Sequence, residues 1–285
     1  MVRSFSIIIP TLNEEKYLPN LLEDLSNQNY KNFEVIVVDG SSKDKTLEKA
    51  KTFSSKLDLA IIDSKQRDVG YQRNSGAKRA SSDWLIFMDA DNRVPNSFLA
   101  DLKKVLDNDK KIDAFSCWIK VDEYPVIHRP TVRFINFSFS LLGTEAMGAM
   151  IGIKKDIFSK LEFAEGQIYE DADLIKRLSK AGYKYKYLQK PSYIYSFRRF
   201  EKEGTLKLAS IAIEGRIRML LNKSVKDYDK YPMIGGEYYD GSQSFNLIKQ
   251  MDKIENYFKK ATKKQIEKAK KIWSILIEDE LASKD

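Results

Sequence analysis

The sequence predicts an α/β fold: a mostly parallel central sheet flanked by helices, followed by a C-terminal helical extension. Three observations carry that prediction. Short apolar runs rich in Ile and Val recur at FSIIIP (5–10), FEVIVVD (33–39), LAIID (59–63) and WLIFMD (84–89). Helical patterns lie between them, which is the order of strand–helix–strand units. Each run is apolar throughout instead of alternating, as expected of a strand covered on both faces by helices.

The opening MVRSFSIIIP holds only a few consecutive apolar residues and no small-residue cleavage site, so it reads as a first strand and not a signal peptide. The next segment, EEKYLPNLLEDLSNQ, spaces Leu18, Leu21, Leu22 and Leu25 as one helical face, with Pro19 expected to interrupt its first turns. KDKTLEKAKTF is a second helical pattern, with Ser41 and Ser42 before it as candidate N-caps. VGYQRNSGAKRA follows the third strand. Much later, DADLIKRLSKAG reads as a helix closed by Gly182.

Three of the strands end on polar residues: TLNEE after the first, Asp39-Gly40-Ser41-Ser42 after the second, and Asp89-Ala90-Asp91 after the fourth. Any one of these alone also reads as a turn or a cap. In a parallel sheet, however, all three fall at the carboxyl edge, where ligands bind. The last is the most demanding. LIFMDADNRVP stops on two carboxylates one residue apart, whose mutual repulsion calls for a nearby positive charge.

Composition limits the function classes. With 285 residues, 42% apolar and 32% charged, the chain can bury a sizeable core and lacks the composition of a disordered one. Cys117 is the single cysteine and His128 the single histidine, which excludes an internal disulfide and zinc centres built from Cys and His. The lone thiol fits a reducing compartment, so the expected location is cytoplasmic. The net charge of +8 is uneven: residues 176–226 hold 14 Lys or Arg against three Glu. A basic region facing an acidic remainder suggests an anionic ligand or surface. No zinc-finger, helix-turn-helix or aromatic RNA-binding pattern is present, so nucleic acid is not the expected partner.

SIIIPTLNEE, VIVVDGSSKDKT, RNSGAKRA, FMDADN and YEDADLIKRLSKAGYK occur in that order over roughly residues 5–190. The ordered set resembles the successive motifs of the inverting family 2 glycosyltransferases, which have the GT-A fold. The resemblance implies a nucleoside diphosphate sugar donor, UDP- or GDP-linked, and a divalent metal, Mn or Mg. It places the base and ribose against Pro10, Thr11, Leu12, Asn13, Glu14 and Asp39, and implies donor contacts from Asp89 and Ala90. It makes Asp91 the metal ligand, which would answer the carboxylate repulsion because such ions prefer hard oxygen ligands. Gly70, Arg73 and Asn74 would frame the base and phosphates, although the same residues also read as a capping turn with a solvated arginine. Asp171 is implied as general base, with Glu170 and Asp173 orienting it, the acceptor or the surrounding loop. Acidic residues in a first helical turn are also favoured by the helix dipole alone.

The sequence departs from many family members beyond this helix. Where they carry a His, PSYIYSFRRFEKEGTLK has none. Ser196, Arg198 and Arg199 resemble a subset with an arginine pair, which would clamp the diphosphate, although the same stretch also reads as a solvated basic loop. The acceptor, a glycan, a lipid-linked molecule or a small molecule, is not legible. Residues 124–150 concentrate Phe134, Phe137, Phe139, Leu141 and Leu142, readable as a packed helix, an apolar acceptor groove or a membrane-facing element. The expected division is a catalytic domain over 1–225, with a nucleotide-binding half (1–110) and an acceptor half (111–225), then a flexible loop and amphipathic helices over 226–285. Those helices read as docking on the protein's own body or on a second subunit, or as contacting the inner membrane face through their Lys excess. A sugar-phosphate nucleotidyltransferase would show a Gly-rich basic loop after the first strand; TLNEEKYLP shows none. The intact Glu170-Asp171 pair argues against a non-catalytic nucleotide-sugar or membrane binder.

Overall fold

A computed structural model of the chain describes residues 3–120, 132, 133, 136, 149–166, 169–196 and 198. The expectations for Arg199, for the Phe-rich part of 124–150 and for 226–285 lie outside these residues.

Seven strands form one sheet: β1 (Phe5–Thr11), β2 (Phe33–Asp39), β3 (Leu59–Asp63), β4 (Trp84–Met88), β5 (Ala114–Ile119), β6 (Met150–Lys154) and β7 (Tyr185–Tyr193). Their spatial order is β3-β2-β1-β4-β6-β5-β7. The first four pair in parallel, as the alternation of strands and helices predicted. β6 runs antiparallel to both β4 and β5, and β7 is again parallel to β5. β6 is therefore the one reversed strand among those described, and its Gly152 faces Phe115 across the ladder. A Cβ at Gly152 would lie 2.1 Å from the Phe115 ring, so only glycine lets that ring cover the strand.

Six helices are described: α1 (Leu18–Ser26), α2 (Thr46–Lys51), α3 (Val69–Arg79), α4 (Phe98–Asn108), α5 (Lys155–Leu161) and α6 (Glu170–Lys180). The strand period of two sorts the apolar runs onto two faces. Phe5, Ile7 and Ile9 pack with Leu18, Leu21, Leu22 and Leu25 of α1 and with Leu99 and Leu102 of α4. Ile8, Ile36, Val38, Leu85 and Phe87 turn the other way, onto Ala77, Ile157, Phe158, Leu174, Ile175 and Leu178 of α3, α5 and α6. Each fully buried Leu or Ile contributes roughly 1.5–3 kcal/mol. Pro19 does not interrupt α1; it stands in the helix's first turn, where its missing N–H costs no helical hydrogen bond. Gly182 closes α6 as expected, at φ +84°, with its N–H donating to the Ser179 carbonyl.

α3 is the exception to the apolar rule. Its buried residues include Gln72, Arg73 and Asn74. A helix that presents polar side chains to the interior of an α/β protein needs partners for them.

Candidate functional site

The ends of β1 and β2 lie side by side, with Thr11 opposite Asp39 in the register. Asp39 is fully buried and accepts from the Thr11 hydroxyl at 3.1 Å, the Ser42 N–H at 2.8 Å and the Ser42 hydroxyl at 2.5 Å. Ser42 therefore closes a turn on Asp39. It does not cap α2, which begins only at Thr46 and has no side-chain cap. Gln72 of α3 holds the two strand ends together, its amide donating to the carbonyls of Thr11 (2.9 Å) and Val38 (2.7 Å). Pro10 and Leu12 flank Thr11 as buried rim residues.

The aspartate pair after β4 is equally fixed. The Asp89 N–H donates to the Ala149 carbonyl at 3.0 Å, just ahead of β6, and the Asn92 N–H turns back to the Asp89 carbonyl at 3.1 Å. The Asn92 side-chain amide also donates to Ala149. Ala90, 3% exposed, is the buried step between the two carboxylates. Arg93 and Ile194 exchange backbone hydrogen bonds of 3.0 and 2.9 Å, which joins this turn to the chain leaving β7. That pairing brings residues 196 and 198 to the aspartates.

Two arginines then meet the pair from opposite sides. Arg73, 2% exposed, donates to Asp89 at 3.0 Å and to Glu170 at 2.5 Å, with Phe163 beneath its guanidinium at 5.1 Å. The solvated-arginine reading of this residue is thereby excluded. Arg198 forms an ion pair with Asp91, Nε to Oδ2 at 2.8 Å, and donates through both terminal nitrogens to Glu14, at 2.9 and 2.5 Å, while stacked 4.4 Å from the Tyr17 ring. Asp89 and Asp91 thus have different counter-ions, one from α3 and one from beyond β7.

Burial sets the electrostatics. It pushes Glu14 and Glu170 each up to about 7, against the opposing pull of Arg198 and Arg73 respectively. Burial raises Asp91 and Asp171 as well, opposed by the same two arginines in turn. The Asp89 charge raises all four, so Glu14, Asp89, Asp91, Glu170 and Asp171 form one electrostatic cluster. Five carboxylates face two guanidinium groups. A donor set of hard carboxylate oxygens with excess negative charge suits a divalent Mg or Mn ion. Among the described residues, however, no three Asp, Glu, His or Cys side chains are arranged to hold one. Asp91 could supply a protein oxygen only if a ligand supplied most of the others.

The remaining predicted residues support this arrangement. Gly70 lies beneath the loop after α5: a Cβ there would come within 2.7 Å of the Ala164 carbonyl. Asn74 holds the same loop, donating to the Phe163 carbonyl at 3.0 Å and accepting from its N–H at 2.9 Å. Asp173 pairs with Arg177 at 2.6 Å, and Arg177 donates on to the carbonyls of Leu161 and Glu162. Glu170 and Asp171 open α6 after Tyr169, which turns through the left-handed region at φ +63°. Sequence reasoning missed Gln72, Tyr17 and Phe163. The polar face of α3 was a signal for Gln72; no local pattern marks the two aromatic rings.

An open sheet gathers its acidic, arginine-braced cluster at the carboxyl ends of β1, β2 and β4, the edge at which α/β proteins commonly bind their ligands. The chain belongs to glycosyl transferase family 2, whose sequence profile matches residues 6–161. The chain is 35% identical over 107 residues to the poly(ribitol-phosphate) beta-N-acetylglucosaminyltransferase TarS of Staphylococcus aureus, a match covering 36% of this chain and 19% of TarS. Glycosyltransferase GlyA of Streptococcus pneumoniae is 28% identical over 219 residues, covering 68% of this chain and 30% of GlyA. The matches thus span under a third of these relatives' own length. Among solved structures, a mannosyltransferase from Pyrobaculum calidifontis in complex with GDP-Man and Mn2+ superposes with a TM-score of 0.65 at 18% identity, covering 80% of this chain and 67% of that one. TarS residues 1–349 in complex with UDP-GlcNAc give 0.56 at 22% identity, covering 81% and 70%. These likenesses show the expected GT-A fold. Among the described residues no helix is long and apolar enough to cross a membrane.

Proposed function

We propose that this chain is an inverting glycosyltransferase that moves a sugar from a UDP- or GDP-linked donor to an acceptor hydroxyl by single displacement. The observation that carries the reading is the buried Arg73 bridge from Asp89 to Glu170, the residue preceding Asp171. It ties Asp89 to the residue beside the proposed base, which supports reading the aspartate pair and Asp171 as one constellation. The family membership and the nucleotide-sugar complexes of the structural neighbours support the donor class.

In this reading Thr11, Asp39 and the turn through Ser42 bind the base and ribose, and Asp89 and Asp91 face the diphosphate. Asp91, with donor oxygens, would hold a divalent ion, which supplies charge neutralisation on the departing diphosphate. Asp171 accepts the acceptor's hydroxyl proton as the acceptor oxygen bonds the anomeric carbon. The bond from that carbon to the phosphate oxygen breaks on the opposite face, and the nucleoside diphosphate leaves with the electron pair. The raised pKa of Asp171 makes it a stronger base than an exposed aspartate. Arg198 and Arg199 donate to the leaving phosphates.

Asp171→Asn keeps the shape of the side chain and removes its basicity. It is expected to bind donor normally and to lose 10²-fold or more in turnover. The product should carry the anomeric configuration opposite to the donor's, read by NMR. Near-normal turnover of the variant would move the base to another group, and retained configuration would overturn single displacement.

A further inference from the structure

Asp91 is the residue proposed to ligate a divalent ion, yet its Oδ2 is paired with Arg198 Nε 2.8 Å away. Arg198 is held there by more than this one bond. Its two terminal nitrogens grip both oxygens of Glu14, which is 5% exposed, and its guanidinium lies on the Tyr17 ring. All three guanidinium nitrogens are thereby engaged on the β1 and β4 edges of the sheet, although Arg198 comes from beyond β7. One carboxylate oxygen cannot stay 2.8 Å from this guanidinium and ligate a divalent ion without forcing two cations together in a partly buried place.

We infer that Arg198 is an exchangeable cation that couples the metal to the diphosphate: it competes with a divalent ion for Asp91, and a diphosphate relieves the competition by drawing Arg198 onto itself. This inference deepens the transferase reading and rests on it. The chemistry of the exchange is favourable in one direction. A diphosphate offers the guanidinium fork a multiply charged, bidentate partner, better matched than the single Asp91 oxygen. Once Arg198 moves, Asp91 has its oxygens free beside a newly bound anion, and would then be able to hold a divalent ion that neutralises both. Metal and nucleotide each strengthen the other's binding by the same factor, as linkage requires. The factor has its origin in one side chain.

The test measures Mn2+ and UDP binding by calorimetry, singly and together, on the full chain and on Arg198→Ala and Arg198→Lys. For wild type, Mn2+ alone is expected to bind weakly and to tighten at least tenfold with UDP saturating. For Arg198→Ala, Mn2+ alone should bind about tenfold tighter than to wild type. UDP alone should bind more weakly to this variant, and the mutual enhancement should fall close to one. Arg198→Lys, which keeps a cation but loses the fork, should fall between the two. Melting curves show that each variant is folded. An Arg198→Ala variant whose Mn2+ affinity is unchanged or lower overturns the inference, as does failure of Mn2+ to bind either protein at millimolar concentration. If UDP and GDP both fail to bind wild type with or without Mn2+, the donor reading falls. The Mn2+-only comparison still decides the competition at Asp91.

Discussion

Asp89 and Asp91 stand one residue apart, and their surroundings have little in common. Asp89 is held by Arg73, an arginine from the interior of a helix that is itself sealed between Glu170 and Phe163 and is 2% exposed. Asp91 is held by Arg198, which reaches in from the chain beyond β7 and keeps 18% of its side chain exposed. The first network joins the end of β4 to the helix that carries Asp171. The second joins the β1 edge to a segment whose place depends on the Arg93–Ile194 pairing. Similar charges in similar numbers therefore do different work. A sealed arginine fixes geometry, and a partly open one can change partners.

The contrast is broken most severely at Arg73. Arg73→Met leaves Asp89 and Glu170 without their shared buried counter-ion, which is expected to cost about 3–5 kcal/mol in denaturant unfolding. Arg198→Ala, less fully sealed than Arg73 but facing two largely buried carboxylates, should cost less, about 1–3 kcal/mol, in the same assay. Equal losses at the two sites would erase the distinction. The next effect is at the aspartates. Asp91→Asn should lower metal-dependent UDP affinity about 10–100-fold while leaving metal-independent binding nearly unchanged.

Titration separates the networks from the exposed surface. Glu14 and Glu170 have folded pKa values near 7, above the ordinary carboxylate value near 4.5. The folded state therefore binds more protons than the unfolded chain between those limits. The contribution is fully present below the unfolded pKa and is lost as pH rises through about 7. Stability should fall by roughly 5 kcal/mol from pH 5 to pH 8 for the two groups together, and Glu14→Gln should remove about half of that slope. A wild-type melting temperature that rises over this range would contradict the burial of these groups. The smallest effect sharpens the role of the open side. Replacing Arg198 and Arg199 together with Ala should weaken UDP binding about tenfold and uridine binding hardly at all. Equal losses for both ligands would assign the pair no contact with phosphate.

Much of the first half of the fold was legible because it is local. Four apolar runs separated by helical patterns specify parallel strand–helix units, and the polar residues at their ends must meet at one edge whatever the details of packing. TLNEE, Asp39 and the Asp89–Asp91 pair were found by that reasoning. β6 was not, because nothing in MIGIK says that it will run against its neighbours; its reversal follows from the place left between β4 and β5. Nor could the fates of three short patterns be read locally. Pro19 begins a helix instead of interrupting one, because a helix start has no bond for it to break. Ser42 serves Asp39 instead of a helix end. Arg73 lies on a helix face whose direction alone decides between water and the interior. The sequence by itself determined the class of fold, the polar edge of the sheet and the acidic residues gathered there, since these depend on periodicity and on the carboxyl ends of parallel strands. Only the tertiary structure decided which arginine answers which aspartate, because those pairs join positions 16, 97, 107 and 184 residues apart, and no spacing in a chain encodes a contact made across a sheet.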